Sequence, residues 1–188
     1  MLFAELRNFT RLSEALQPDK VLGLANDFFT LAGRHIQANT GKVVSVSNDA
    51  LLATFVAGQP AQFAQAAIKA ARAIQAEFGP IGERWQQEYG LAAAVALGLH
   101  AGDAVFGMAG PQGAQQFVAF GDCVSVAERL VHRARAGEIV LSVDVVKPIG
   151  AEAAKALGAE ALPAIELGGK RPPLPIYGMV LETRLDFT

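Results

Sequence analysis

Residues 42–56 read Lys42-Val43-Val44-Ser45-Val46-Ser47-Asn48-Asp49-Ala50-Leu51-Leu52-Ala53-Thr54-Phe55-Val56, and this stretch has the pattern of two strands. It contains two β-rich runs, Lys42 to Ser47 and Ala50 to Val56, joined by the short polar segment Ser47-Asn48-Asp49. A short polar link between two such runs is typical of a β-hairpin, although the stronger Asn-Gly turn signal is missing. The pattern therefore predicts a hairpin with Asp49 at its tip.

A helical pattern precedes this hairpin. Pro18 and Asp19 are both favoured in a first helical turn, and the segment Asn39-Thr40-Gly41 ends the pattern. Apolar residues recur at helical spacing between these limits and predict one buried stripe: Val21, Leu24, Phe28, Leu31 and Ile36.

A second helical pattern follows the hairpin, after the break at Gly58-Gln59-Pro60. We expect Gly79-Pro80 to end this helix, with Trp85 and Tyr89 on a short helix or turn beyond it. The apolar residues that keep the helical period are Ala64, Ala67, Ile68, Ala71, Ile74 and Phe78.

The rest of the chain alternates between extended and helical patterns. Met1 to Arg7 alternates as a strand, and a third helix opens at Gly121-Asp122 and closes at Gly137. The pattern also predicts a helix at 151–157 and strands at 92–100, 104–108, 116–120, 138–141, 164–167 and 174–181. This mixture of hairpins and crossovers predicts a single α+β domain over residues 1–188, with a ferredoxin-like core and a mainly antiparallel sheet flanked by helices.

Composition and charge exclude several classes of function. Of the 188 residues, 52% are hydrophobic and 18% are charged, which is the balance of a globular domain rather than a disordered one. A formal net charge of −2 shows no excess of positive charge of the kind that binds nucleic acid or an anionic membrane. A single cysteine rules out an internal disulfide framework, and neither a membrane span nor a signal peptide is visible. The single cysteine fits a reducing, cytoplasmic setting, and the abrupt start on a strand leads us to expect a piece of a longer protein.

Two acidic residues are the first candidates for a functional site. Glu5 lies in the first predicted strand, and Asp49 lies at the hairpin tip. If these strands are neighbours, the two carboxylates converge, and paired carboxylates suit Mg²⁺, a hard cation that prefers oxygen ligands. The alternative is that both are ordinary surface acids, which are common in any protein.

Five stretches of the chain resemble motifs of the class III adenylyl and guanylyl cyclases. They occur in the family's order and spacing and cover nearly the whole chain. They are Leu2 to Ser13 (LFAELRNFTRLS), Asn48 to Phe55 (NDALLATF), Leu97 to Gly102 followed by Gly107, Phe120 to Leu130 (FGDCVSVAERL), and Gly168-Gly169-Lys170 before Pro175-Ile176-Tyr177.

The resemblance implies both a reaction and an assembly. In that family the ribose 3′-hydroxyl of a nucleoside triphosphate attacks its own α-phosphate, and pyrophosphate leaves. Two metal ions, Mg²⁺ or Mn²⁺, activate the nucleophile and hold the phosphates. Two protomers pack head to tail as a homodimer, so each site takes metal ligands from one protomer and base- and transition-state-binding residues from the other.

Three of the family's site positions keep their residue type. Asp49 corresponds to the second metal carboxylate, and Arg129 corresponds to the arginine that stabilises the transition state, one helical turn beyond Ser125. Lys170 corresponds to a phosphate-binding lysine, a role that the neighbouring Arg171 could equally take.

Four positions are altered. Glu5 stands where the family has the first metal-binding Asp, and Ser45 stands where it has a base-reading Lys. Val118 replaces the base-reading Asp or Thr, and Ser125 replaces the Asn that steadies the ribose and the developing charge. Loss of one preorganised donor typically costs about 10²- to 10³-fold in rate, so these changes predict weak or absent cyclase activity.

Other interpretations stay open. The domain could instead be a non-catalytic module that binds a nucleotide or dimerises to regulate an attached or partner domain. Val118 and Ser125 could simply face a packed dimer seam. Cys123, at a helix start, could be a reactive thiol or a small buried residue, and His100 is more often a satisfied strand-end histidine than a ligand.

Overall fold

In a computed structural model that describes residues 1–168 and 172–180, the chain forms a twisted sheet with helices on both faces. The strands are β1 (Leu2–Arg7), β2 (Lys42–Ser47), β3 (Ala50–Thr54), β4 (Ala94–Leu99), β5 (Val105–Ala109), β6 (Gln116–Phe120), β7 (Glu138–Ser142), β8 (Glu160–Ile165) and β9 (Leu174–Val180). The helices are α1 (Phe9–Ala15), α2 (Pro18–Ala38), α3 (Pro60–Tyr89), α4 (Asp122–Arg133), α5 (Val143–Ile149) and α6 (Ala151–Ala156).

Seven strands form the main sheet, in the order β2-β3-β1-β4-β7-β9-β8, and β5 with β6 forms a separate hairpin. Every pairing is antiparallel except the one between β4 and β7, which a crossover through α4 makes parallel. The predicted hairpin of β2 and β3 is present. The predicted α+β class, with a mainly antiparallel sheet flanked by helices, is confirmed.

Different helices cover the two faces of the sheet, as the side chains of β1 show. Leu2, Ala4 and Leu6 are buried in the larger core, which also contains residues of α1, α2, α3, α5 and α6. Phe3 packs against the smaller core, to which α4 contributes Val126, Leu130 and Val131. Because successive strand residues point to opposite faces, Glu5 and Arg7 lie on the α4 face.

Helix α4 approaches the sheet closely at Gly98 in β4. A Cβ atom at this position would lie 2.4 Å from the backbone nitrogen of Val131 and 2.5 Å from the backbone oxygen of Ala127. Since both atoms belong to the helix backbone, no side chain can move aside to make room. Gly98 therefore sets the distance between α4 and the sheet.

We expect Gly98→Ala to lower the free energy of unfolding by about 1–3 kcal/mol, because the methyl group must push the α4 backbone away from the sheet. Urea denaturation followed by circular dichroism measures this change. Gly107→Ala is the matched control, since a Cβ atom at that strand position meets nothing within 4 Å. Equal stability of the two variants would contradict the close packing of α4.

Some boundaries differ from those expected. The predicted end at Gly79-Pro80 is wrong, because α3 continues through Pro80 to Tyr89. Pro80 removes one backbone hydrogen bond, but Phe78 and Trp85 on either side of it are buried and pack edge to face, which holds the helix together. The short helices α1 and α5 lacked a separate sequence signal, and β8 begins at Glu160 rather than at 164.

In the described part of the chain, no helix combines the length and apolar character needed to cross a membrane.

Candidate active site

Glu5 and Asp49 lie on neighbouring elements, as the sequence predicts. Glu5 is the register partner of Ala50, and the backbone nitrogen of Leu6 donates a hydrogen bond of 2.9 Å to the backbone oxygen of Asp49. The end of β1 and the tip of the β2–β3 hairpin therefore meet at one corner of the sheet. A shared role for the two carboxylates in metal binding stays a prediction.

Two asparagines with positive φ shape this corner. Asn8 follows β1 with φ 66°, and its side-chain amide donates to the backbone oxygen of Ala92 at 3.0 Å. Asn48 has φ 35° in the turn just before Asp49. Asparagine tolerates this left-handed region better than most residues, so it can end a strand sharply in both places.

The carboxylate of Glu5 is already bound by side chains of its own chain. The Arg7 guanidinium donates to one carboxylate oxygen, and Nε2 of His132 lies 3.4 Å from the other. The side chains of Glu5 and Arg7 are only 16% and 21% exposed, so solvent screens their ion pair less than a surface pair. Both oxygens therefore face nitrogen atoms rather than open solvent.

The same guanidinium also holds the end of α4. The second terminal nitrogen of Arg7 donates to the backbone oxygens of Val131 and of Ala134, the latter at 3.0 Å. The Val131 carbonyl also accepts from the backbone nitrogen of Ala134 at 3.1 Å, so the arginine adds a second donor at the end of the helix, where carbonyls lack the regular helical partner. Arg7 thus links the strand that carries Glu5 to helix α4.

A bound divalent ion does not fit this arrangement at Glu5. Carboxylate oxygens are the ligands that Mg²⁺ prefers, so the donor chemistry of Glu5 and Asp49 is suitable. However, the Arg7 guanidinium already binds one carboxylate oxygen of Glu5, so a metal ion would have to displace it or lie beside its positive charge. Within residues 1–168 and 172–180, no group of three or more His, Cys, Asp and Glu side chains is arranged to hold a metal ion.

Asp49 has an open side. It is half-buried in the wall of a groove of about 440 Å³ between the hairpin tip and the first turns of α1 and α2. The groove is lined by polar residues, Thr10, Ser13 and Asn48, as well as apolar ones. A small polar ligand could therefore reach the Asp49 carboxylate from solvent.

Ser125 and Arg129 lie one turn apart on the exposed side of α4. Nη1 of Arg129 donates to the backbone oxygen of Leu167 at 2.7 Å, which fixes the side chain beside the segment after β8. The predicted phosphate-binding residue Lys170, like its neighbour Arg171, lies outside the described residues.

Ser45 and Val118 lie on separate elements. Ser45 is exposed on β2, next to a register shift in the β2–β3 pairing, and Val118 is half-buried on β6 opposite Gly107. The β5–β6 hairpin is held near β2 by Lys42, whose ammonium group lies 4.2 Å from the centre of the Phe117 ring. The base-reading roles at Ser45 and Val118 stay predictions.

Sequence reasoning missed Arg7 and His132, the two residues that contact Glu5. The signal for Arg7 was available, because a residue two positions along a strand lies on the same face. No local pattern could have found His132, which reaches Glu5 only through the packing of α4 on the sheet.

Cys123 and His100 have side chains that could take part in chemistry, but both have structural roles here. Cys123 is buried, and burial raises the pKa of its thiol, which is the opposite of what a reactive cysteine needs. Nδ1 of His100 lies 2.8 Å from Oγ of the buried Ser142. Burial lowers the pKa of the His100 imidazole, and the nearby Asp144 and Asp122 carboxylates oppose this effect only in part.

The lowered pKa of His100 predicts a pH dependence of stability. Since the unfolded chain takes up this proton at a higher pH than the folded protein, stability should fall as the pH drops from 7.5 towards 5.5. His100→Gln removes the titrating group, so its melting temperature should fall less over the same range. Differential scanning fluorimetry at a series of pH values makes the comparison, and parallel curves for the two proteins would contradict it.

Comparisons with known proteins agree on one family. A family model, the adenylate and guanylate cyclase catalytic domain, matches residues 1–173. Adenylate cyclase 1 of Rhizobium meliloti (strain 1021) is 28% identical over 131 residues, which are 69% of this chain and 20% of that protein. The match therefore spans about a fifth of the length of that relative.

Solved cyclase structures share the fold. The adenylyl cyclase CyaB from P. aeruginosa superposes with a TM-score of 0.85 at 21% identity, covering 97% of this chain and 93% of that one. The guanylate cyclase domain of RhGC from Catenaria anguillulae, solved in complex with GTP, superposes with a TM-score of 0.79 at 20% identity. That match covers 97% of this chain and 95% of the other.

Proposed function

This chain belongs to the adenylate and guanylate cyclase catalytic domain family, and we propose that it is a member whose turnover of ATP or GTP to a 3′,5′-cyclic nucleotide is weak or absent. The observation that carries this proposal is the set of contacts made by the Glu5 carboxylate. Its carboxylate is engaged by Arg7 and faces His132, so it is not free to bind a catalytic Mg²⁺ or Mn²⁺ ion.

The other altered positions weaken the same reaction. As the 3′-hydroxyl attacks the α-phosphate, negative charge builds on the phosphate oxygens and must be stabilised by nearby donors. Arg129 can supply a guanidinium for this, but the Ser125 hydroxyl is too short to replace an asparagine amide without a water. Val118 offers no polar atom to a purine edge, and leaving such an edge unpaired costs about 1–3 kcal/mol of binding.

The proposed site is shared between two copies of the chain packed head to tail. Glu5 and Asp49 of one protomer face Ser125 and Arg129 of the other. The exposure of the latter two residues on α4 supports this, since both are accessible to a second copy. The β5–β6 hairpin adds exposed apolar side chains that a second copy could cover: Val105, Met108 and Phe120.

We propose that this homodimer acts in the cytoplasm, under the control of a sensor domain elsewhere in a longer protein.

A second candidate function is a regulatory module that binds a nucleotide without converting it. The retained Asp49 and Arg129 favour it, because a carboxylate beside an open groove can bind a metal ion and a guanidinium can bind phosphate oxygens. Such a module would pass a signal through dimerisation rather than through a product.

Turnover and binding assays separate these possibilities. Purified protein is incubated with ATP or GTP and Mn²⁺ or Mg²⁺, cyclic nucleotide is measured by mass spectrometry, and calorimetry reports nucleotide binding. We expect slow or undetectable product, and binding without turnover would favour the regulatory module. Brisk product formation, lost in Arg129→Ala, would reject the proposal of an impaired cyclase.

A further inference from the structure

Glu5 and Arg7 form an ion pair because two local features of the strand coincide. Their positions in β1 differ by two, so both side chains point to the α4 face. Glutamate is longer than aspartate by one carbon–carbon bond, about 1.5 Å, which extends its carboxylate towards the guanidinium. An aspartate at this position would draw the carboxylate back towards the sheet.

The guanidinium is fixed from its other side as well. Arg7 donates to the backbone oxygens of Val131 and Ala134 at the end of α4, so it cannot swing away from Glu5 without losing these two hydrogen bonds. Arginine is also the basic side chain that stays charged in proteins. The carboxylate is therefore paired with a permanent, doubly anchored cation.

From these contacts we infer that Arg7 is a built-in cation that excludes divalent metal from Glu5. The inference rests on the proposed function, because it explains why the metal position of this cyclase domain is closed. A metal ion that binds Glu5 must first break the ion pair, and it would then lie close to a second positive charge. The replacement of Asp by Glu thus creates a partner for Arg7 at the position where the family binds metal.

The test is a titration with Mn²⁺ alone, in which the electron paramagnetic resonance signal of free Mn²⁺ reports binding to the folded protein without nucleotide. We expect Arg7→Gln to bind Mn²⁺ at least about tenfold more tightly than the wild type, because it removes the competing charge. Glu5→Asp should also bind more tightly. The double variant Arg7→Gln with Glu5→Gln should lose the gain.

Two further proteins make the result decisive. Glu5→Asp keeps the bonds between Arg7 and α4, so it still reports on metal exclusion if Arg7→Gln fails to fold. Arg84→Gln removes a positive charge from an exposed position on α3 and should bind Mn²⁺ like the wild type. Equal affinity of the wild type and Glu5→Asp, or of the wild type and a folded Arg7→Gln, would overturn the inference. Brisk turnover by the wild type would instead overturn the proposed function, so the two failures are distinguishable.

Discussion

A variant carrying Glu5→Asp, Ser45→Lys, Val118→Asp and Ser125→Asn should form cyclic nucleotide at least about 100-fold faster than the wild type. The first change draws the carboxylate away from Arg7 and towards the position that a metal requires. The next two return polar partners for the purine edge, and the last returns a donor for the developing charge. The effects of residues that act as one unit are not additive. The variant with all four changes should therefore form product much faster than the best single variant.

The quantity to measure is the initial rate of cyclic nucleotide formation with Mn²⁺ at saturating ATP and GTP. Adding Arg129→Ala to the four changes is the matched control, and it should abolish the gain, because the transition state then loses its guanidinium. If the restored variant folds but stays as slow as the wild type, the four positions are not what limits turnover. The cause would then lie in the dimer interface or in the fold.

Phe78→Ala should lower the free energy of unfolding by about 3–5 kcal/mol. Phe78 is 1% exposed and packs edge to face against both Phe28 and Trp85, with ring centres 6.0 Å and 5.4 Å apart. Its removal opens a cavity between α2 and α3 and also loosens the helix beside Pro80. Guanidinium denaturation monitored by the fluorescence of Trp85 measures the change.

Leu22→Ala is the control for this prediction, because that side chain is 62% exposed on α2. Its removal deletes an apolar side chain from the same helical layer but opens no cavity, so the free energy of unfolding should change by less than about 0.5 kcal/mol. Similar losses in the two variants would mean that the three aromatic rings do not form the core of the helical layer.

The sequence was most informative where a local pattern and its tertiary surroundings agree. The alternation in Met1 to Arg7 and the polar link at Ser47 to Asp49 both predicted strands that the sheet contains. Pro80 shows the opposite case. Its local effect favours a helix end, but burial of Phe78 and Trp85 outweighs the one hydrogen bond that is lost.

The sequence nominates residues for the candidate site but not their contacts. The motifs located Glu5, Asp49, Ser125 and Arg129 by order and spacing, and the pairing of β1 with β3 brings the two acids to one corner of the sheet. The contact between Glu5 and His132 depends on how α4 lies across the sheet, which Gly98 controls. Such a long-range contact leaves no local signal in the sequence.

Chemical cross-linking between two single-cysteine proteins tests most directly whether the site is shared between protomers. In a Cys123→Ala background, one protein carries Asp49→Cys and the other carries Arg129→Cys, and a short bismaleimide is added to the mixture. A head-to-tail arrangement predicts a cross-linked dimer in the mixture and little in either protein alone. Dimers that cross-link only between identical cysteines, or not at all, would contradict a site in which the acidic corner of one copy faces Arg129 of the other.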